Sequence, residues 1–202
     1  MTDEPDPPAP RSFLILHGWD NFRPAGHWQH ELALALRQRG ERVEYPQLPD
    51  AAHPSIEAWR DALGEALDAA SAGGARVTVL CHSLACLLWL GARPADRDDV
   101  VERVLLVAPP APGVIAGFPE IAAFASLPLS VGTVPTRIAA SDADPFCPDG
   151  AAAVFGEPYG IPVTIIPGGG HLERTAGYGT WPSVLDWCLD PAAPLLPNTA
   201  AP

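Results

Sequence analysis

Val77-Thr78-Val79-Leu80-Cys81-His82-Ser83-Leu84-Ala85-Cys86 decides how the chain folds, because an apolar, β-branched run stops at a His-Ser pair and continues in helix-forming residues. That is the outline of a nucleophile elbow. In such an elbow a serine sits on a sharp strand-to-helix turn, and the residues two before and two after it are small so that strand and helix can approach. Cys81 and Ala85 hold those two places, where glycine is usual. Neither is bulky enough to block the turn. A serine after a strand also serves as a plain helix N-cap, so a nucleophile here requires partners further along the chain.

An unassisted serine is inert and needs a base, which in turn needs a carboxylate to orient it. Both come after Ser83, acid first. Residues 135–141 read as a short buried strand, and Asp142-Ala143-Asp144-Pro145-Phe146-Cys147-Pro148 as a polar loop after it. Residues 161–166 read as the next strand, closed by Pro167-Gly168-Gly169-Gly170 and then His171. Acid and histidine thus stand at strand ends on the edge where Ser83 emerges, in the chain order serine, acid, histidine. Each residue alone has an ordinary use as a cap or turn former. Their shared order on successive strand ends favours chemistry.

Near the N-terminus, residues 12–16 form another apolar run, ending in His17-Gly18-Trp19. A glycine turn there lets the backbone N–H of Trp19 face the nucleophile and join that of Leu84 as an oxyanion hole. His17 precedes the serine and reads as a structural hydrogen-bonding residue rather than a base.

Taken together with His27-Trp28, Tyr45-Pro46-Gln47-Leu48-Pro49, Val107-Ala108-Pro109 and the run from Ser141 to Pro148, these motifs span nearly everything from Ser12 to Leu189. In that span the chain resembles the small, lidless serine α/β-hydrolases typified by retinoblastoma-binding protein 9. The resemblance implies a compact α/β-hydrolase fold in which Ser83 is nucleophile, Asp144 the acid and His171 the base, with no cofactor. Cys81 and Ala85 depart from its pattern. Between the two aspartates, Asp144 also gains from preceding Pro145, which restricts it to an extended conformation and a fixed side-chain direction. Asp142 then suits a role in the loop, capping the turn that carries Asp144.

The remaining chain fits one such domain. Strands near 12–16, 42–46, 76–81, 102–107, 135–141 and 161–166 alternate with helices at 27–39, 55–70, 83–92 and 181–189. The expectation is about six mainly parallel strands with helices on both faces. It would occupy residues 12–190, after a flexible acidic and proline-rich start at 1–11 and before a Pro/Ala-rich tail at 191–202 that is unstructured or docks loosely through Leu195 and Leu196. The segment 109–129, where this fold often inserts a lid, is short and broken by proline and glycine. An open, shallow site results, with Trp19, Phe118, Phe146 and Trp181 as its expected walls.

Composition excludes several classes. With 202 residues, a net charge of -12 and no lysine, the chain has no basic patch for nucleic acid. The four cysteines lack both metal-ligand spacing and disulfide density, and read as buried thiols. His27 and His30 share a helix face without a third ligand, so no metal is expected. The first ten residues do not read as a signal peptide, and no apolar run reaches the ~20 residues of a membrane span, so a cytoplasmic monomer or homodimer acting on a small-molecule acyl substrate is expected. That substrate would be a small ester, thioester or related compound, cleaved through an acyl-Ser83 intermediate without metal or cofactor. The alternatives are a catalytically weak binding or interaction module on the same fold, or an aminopeptidase-like amide hydrolase.

Overall fold

The computed structural model describes residues 10–198, so the acidic start expected to be flexible lies outside the described residues up to residue 9. The strands are β1 (Arg11–Leu16), β2 (Arg42–Glu44), β3 (Arg76–His82), β4 (Val101–Val107), β5 (Thr136–Ser141) and β6 (Val163–Ile166). They form one sheet in the order β2-β1-β3-β4-β5-β6, each neighbouring pair parallel. Around it lie α1 (Trp28–Gln38), α2 (Ile56–Ser71), α3 (Leu84–Ala92), α4 (Pro112–Ile115), α5 (Glu157–Tyr159) and α6 (Pro182–Leu189).

Two strands are shorter than the sequence pattern predicts, and proline accounts for both. β2 ends at Glu44 because Pro46 has no N–H to give a ladder, and β6 begins at Val163 because Pro162 has none. Helix boundaries follow their caps more closely. The hydroxyl of Ser55 accepts a hydrogen bond from the Ala58 N–H at the start of α2, and Gly73 and Gly74 beyond its end adopt φ of 74° and 77°. Along α2, Trp59, Leu63 and Leu67 recur every four residues and are buried, while Ile56 is half-buried against the same core.

The period-two alternation of each strand divides the core in two. Leu14, Leu16, Val79 and Cys81 face α2 and α3; Phe13, Ile15, Leu80 and Leu105 face α1 and α6. Burying both faces of a parallel sheet demands near-continuous apolar strands, which is why β3 and β4 read so plainly. After β1 the chain places β2 on one side and β3 on the other, so the order reverses between β1 and β3. A crevice for a ligand forms at such a switch, outside the carboxyl ends of the strands.

The segment after β4 stays small, holding only α4 and a 3₁₀ turn at Ala122–Ser126. Ala111 donates to the carbonyl of Phe146 at 2.8 Å, fastening this segment to the loop after β5. The tail is tied down as far as Asn198: Leu195 is buried, while Leu196 leaves its side chain exposed and uses its carbonyl, which accepts from Trp181 Nε1 and Ser183 Oγ. Residues 199–202 lie outside the described residues. All four cysteines are free and buried. Among the described residues no helix is long and apolar enough to cross a membrane.

Candidate active site

Ser83 follows β3 directly and has φ 55° and ψ -124°, a backbone conformation that side chains rarely adopt. Its N–H donates to the Val107 carbonyl at 2.9 Å, which pins the turn to β4. Its side chain makes no capping hydrogen bond, so the simple N-cap reading fails and the hydroxyl is left for other partners. Cys81 and Ala85 are fully buried in the strand-helix junction, where their small size is what the turn needs. Burial pushes the Cys81 and Cys86 thiols up, and the Cys86 Sγ donates to the Val107 carbonyl at 3.4 Å. Neither is a competing nucleophile.

His171 stands five residues past β6, at the end of the run Pro167-Gly168-Gly169-Gly170, in which Gly168 and Gly170 have φ of 65° and 54°. Left-handed turns at these two glycines swing the chain back over the sheet edge. His171 Nε2 lies 2.9 Å from Ser83 Oγ, and His171 Nδ1 lies 2.9 Å from both carboxylate oxygens of Asp144. A carboxylate at Nδ1 places the imidazole proton there, leaving the Nε2 lone pair to accept from the Ser83 hydroxyl. Asp144 is buried and also accepts from the Phe146 N–H at 2.9 Å, across the proline that removes one donor from the turn.

Asp142 differs from its expected place in one respect. Its carboxylate accepts from the Gly168 N–H at 2.7 Å, bracing the loop that carries His171, whereas the turn carrying Asp144 is held by Ser141 Oγ accepting from Ala143. The hydroxyl two residues before Ala143 outcompetes a carboxylate that a neighbouring loop can reach.

On the other side of Ser83, Trp19 and Leu84 offer backbone N–H groups. Leu84 opens α3, so its N–H has no intrahelical acceptor. The Trp19 N–H has no backbone acceptor among the described residues, and its indole Nε1 donates to the Ala52 carbonyl at 2.9 Å. Gly18 allows this loop to come close: a Cβ there would stand 2.7 Å from Ser83 Cβ and 3.2 Å from Ser83 Oγ. We expect Gly18→Ala to lower the rate at which Ser83 reacts by about 10- to 100-fold, since a displacement near 1 Å costs that much. Unchanged rates in a folded variant would show that the loop retreats freely.

His17 is structural, as its position suggests. Its Nδ1–H donates to the Gly18 carbonyl at 2.8 Å, and its Nε2 accepts from the Leu48 N–H at 2.8 Å. Burial pulls its pKa down to about 4, so it is neutral and fixes the loop of residues 45–49 against β1. His27 caps α1, accepting from the Gln29 N–H, and burial pulls it to about 4 as well. It shares no metal-like cluster with His30, since no group of three or more ligand-type side chains is found among the described residues.

Two concavities meet at Ser83 and His171. A cavity of about 110 Å³ is walled by Trp19, Leu84, Pro110, Ile115, Ile121 and Phe146. A cleft of about 280 Å³ runs the other way past Asp20, Asn21, His27, His82, Glu173 and Arg174. Phe118 supports the apolar wall through ring contacts with Trp19 at 5.5 Å and Phe146 at 6.0 Å. Trp181 does not belong to the site. It is buried behind α1, edge-on to Trp28 at 5.8 Å, because α6 packs on the opposite face of the sheet. A larger depression of about 450 Å³ at the amino ends of the strands includes Arg103 and Trp187 in its lining and contains none of these groups. Its Arg103 is occupied in capping α6 through the Trp187 and Cys188 carbonyls.

Reading the sequence missed the polar side of the cleft. Glu173 and Arg174 come after His171 in a loop without periodic pattern, so only their nearness to the histidine pointed to them. It also gave no role to His82.

Comparison with known proteins agrees with the fold. The ydeN gene product of B. subtilis has a TM-score of 0.67 at 16% identity, with 87% of this chain and 95% of that one covered. A putative ydeN-like hydrolase from Pectobacterium atrosepticum has a TM-score of 0.67 at 20% identity, covering 89% and 90%. Est1E from Butyrivibrio proteoclasticus has a TM-score of 0.61 at 18% identity, covering 82% and 81%. At such identities the likeness is one of fold, the α/β-hydrolase fold in compact form. No curated protein sequence matches the chain. The family model described as serine hydrolase matches residues 13–189, which include Ser83, Asp144 and His171 with the motifs around them, and the chain belongs to that serine hydrolase family.

Proposed function

We propose that the protein hydrolyses small esters, thioesters or related acyl compounds through an acyl-Ser83 intermediate. One observation carries the reading: the unbroken chain of 2.9 Å contacts from Ser83 Oγ through the imidazole of His171 to the Asp144 carboxylate. In acylation, His171 takes the Ser83 proton as the oxygen attacks the carbonyl carbon, then returns it to the departing alcohol or thiol. Water repeats the sequence on the acyl-enzyme. Asp144 keeps the imidazole in the right tautomer and stabilises the imidazolium, while the Trp19 and Leu84 N–H groups stabilise the oxyanion. No step calls for a metal or organic cofactor. The test is labelling with a fluorophosphonate followed by mapping of the modified peptide. Label on Ser83 alone supports the enzyme; a folded protein that takes no label at Ser83 would instead be a binding module.

In this reading the apolar cavity takes the acyl chain and the polar cleft the leaving group. An apolar protein cavity of about 150 Å³ holds a six-carbon ring, so about 110 Å³ holds roughly four carbons. Across acetyl, butyryl, octanoyl and palmitoyl esters of one leaving group, kcat/KM is expected to peak at the short chains and to fall by about tenfold or more at octanoyl. Greatest specificity for the palmitoyl ester would overturn this assignment of the two concavities.

A further inference from the structure

β3 and β6 are separated by β4 and β5, so at ~4.8 Å per strand the nucleophile and the base start about 14 Å apart in the sheet. No ladder hydrogen bond links them. His171 reaches Ser83 on a loop with glycine at 168, 169 and 170, the residue type that stiffens a backbone least. Asp142 braces that loop at Gly168, and the side chain of Leu172 is fully buried beyond it. Besides the contact of the imidazole with Ser83 Oγ, a second bond runs from the elbow, to the backbone of the base. The Nε2–H of His82 donates to the backbone carbonyl of His171 at 3.1 Å.

The ring that makes this bond is held from several directions. Ring centres of His171, His27 and Trp28 lie 5.1, 5.2 and 5.9 Å from that of His82, the last two edge-on. Burial, helped by neighbouring His171 and His27, holds its pKa well below the ordinary value, so the ring is neutral and carries one proton. Donation to a carbonyl requires that proton on Nε2.

We propose that His82 is a positioning residue, whose Nε2–H anchors the His171 backbone and thereby sets the distance between the imidazole and Ser83. The proposal rests on reading Ser83, His171 and Asp144 as the reacting groups. His82 also lines the cleft read here as taking the leaving group, but in that scheme it touches none of the reacting atoms. Losing the anchor would let a glycine-rich loop drift, and a drift near 1 Å costs on the order of 10² in rate.

The test compares His82→Gln, whose amide N–H can take the place of Nε2–H, with His82→Leu, which has no donor. In the full-length protein His82→Leu is expected to lower kcat by about 10- to 100-fold while KM stays within about threefold, and His82→Gln to recover most of the loss. Equal losses in the two variants, or a loss confined to KM, would overturn the proposal. A measurement on the unaltered protein covers the case in which His82→Leu does not fold: nitrogen-15 correlation of the histidine rings should show His82 in its Nε2–H form. Finding the Nδ1–H form overturns the anchor. Absence of fluorophosphonate label in the unaltered protein defeats the hydrolase reading and this role with it. Labelling at equal rates in the unaltered protein and His82→Leu defeats the positioning role alone.

Discussion

Turnover of a short activated ester is expected to fall by about 10⁴- to 10⁶-fold in Ser83→Ala, with the fold intact. The hydroxyl is the only group the change removes. Because its sole side-chain hydrogen-bond partner among the described residues is His171 Nε2 at 2.9 Å, no capping interaction disappears with it. His171→Ala should cost a similar factor, and the double variant scarcely more, since neither group does its part without the other. Steady-state kinetics on the three proteins, with circular dichroism as the control for folding, decides the matter. Additive losses, or turnover that survives in Ser83→Ala, would remove the chemistry from this site.

The second large effect separates two neighbouring aspartates. Asp144→Asn should lower turnover by about 10²- to 10⁴-fold, because an amide at that place no longer enforces a proton on Nδ1 and lets the ring present Nε2–H to the serine. Asp142→Asn should cost less than about tenfold. Its task is to accept one hydrogen bond from the Gly168 N–H, and the carbonyl oxygen of asparagine does that equally well. Kinetics on equally stable variants distinguish the two. The reverse order of effects would transfer the acid role to Asp142.

Much of this architecture is legible in the sequence, and for a physical reason. A parallel sheet buried on both faces needs long apolar strands, so β1, β3, β4 and β5 stand out from the polar turns that bound them. The candidate triad was readable because the fold puts its reacting groups at strand ends, and strand ends are marked by abrupt changes in composition at His82-Ser83, Ser141-Asp142 and Ile166-Pro167. What stayed hidden depends on which face a side chain takes after a long excursion. Trp181 looked like a wall of the site, but α6 lies on the face opposite α3, and the indole went into the core with Trp28. The bond from His82 to the His171 carbonyl joins residues 89 apart in the chain, and no local pattern signals it.

The positive φ of Ser83 sets stability and activity against each other at one residue. A non-glycine side chain held in such a conformation costs of order 1–3 kcal/mol, which the surrounding packing must cover. Glycine would adopt it freely, although its greater freedom in the unfolded chain takes back about 0.5–1 kcal/mol. Of two inactive proteins, Ser83→Gly should therefore outlast Ser83→Ala by roughly 1 kcal/mol, or about 2–4 °C in Tm for a domain of this size. Selection for thermal endurance alone would thus erode the elbow, and a serine persists there at the expense of the melting point.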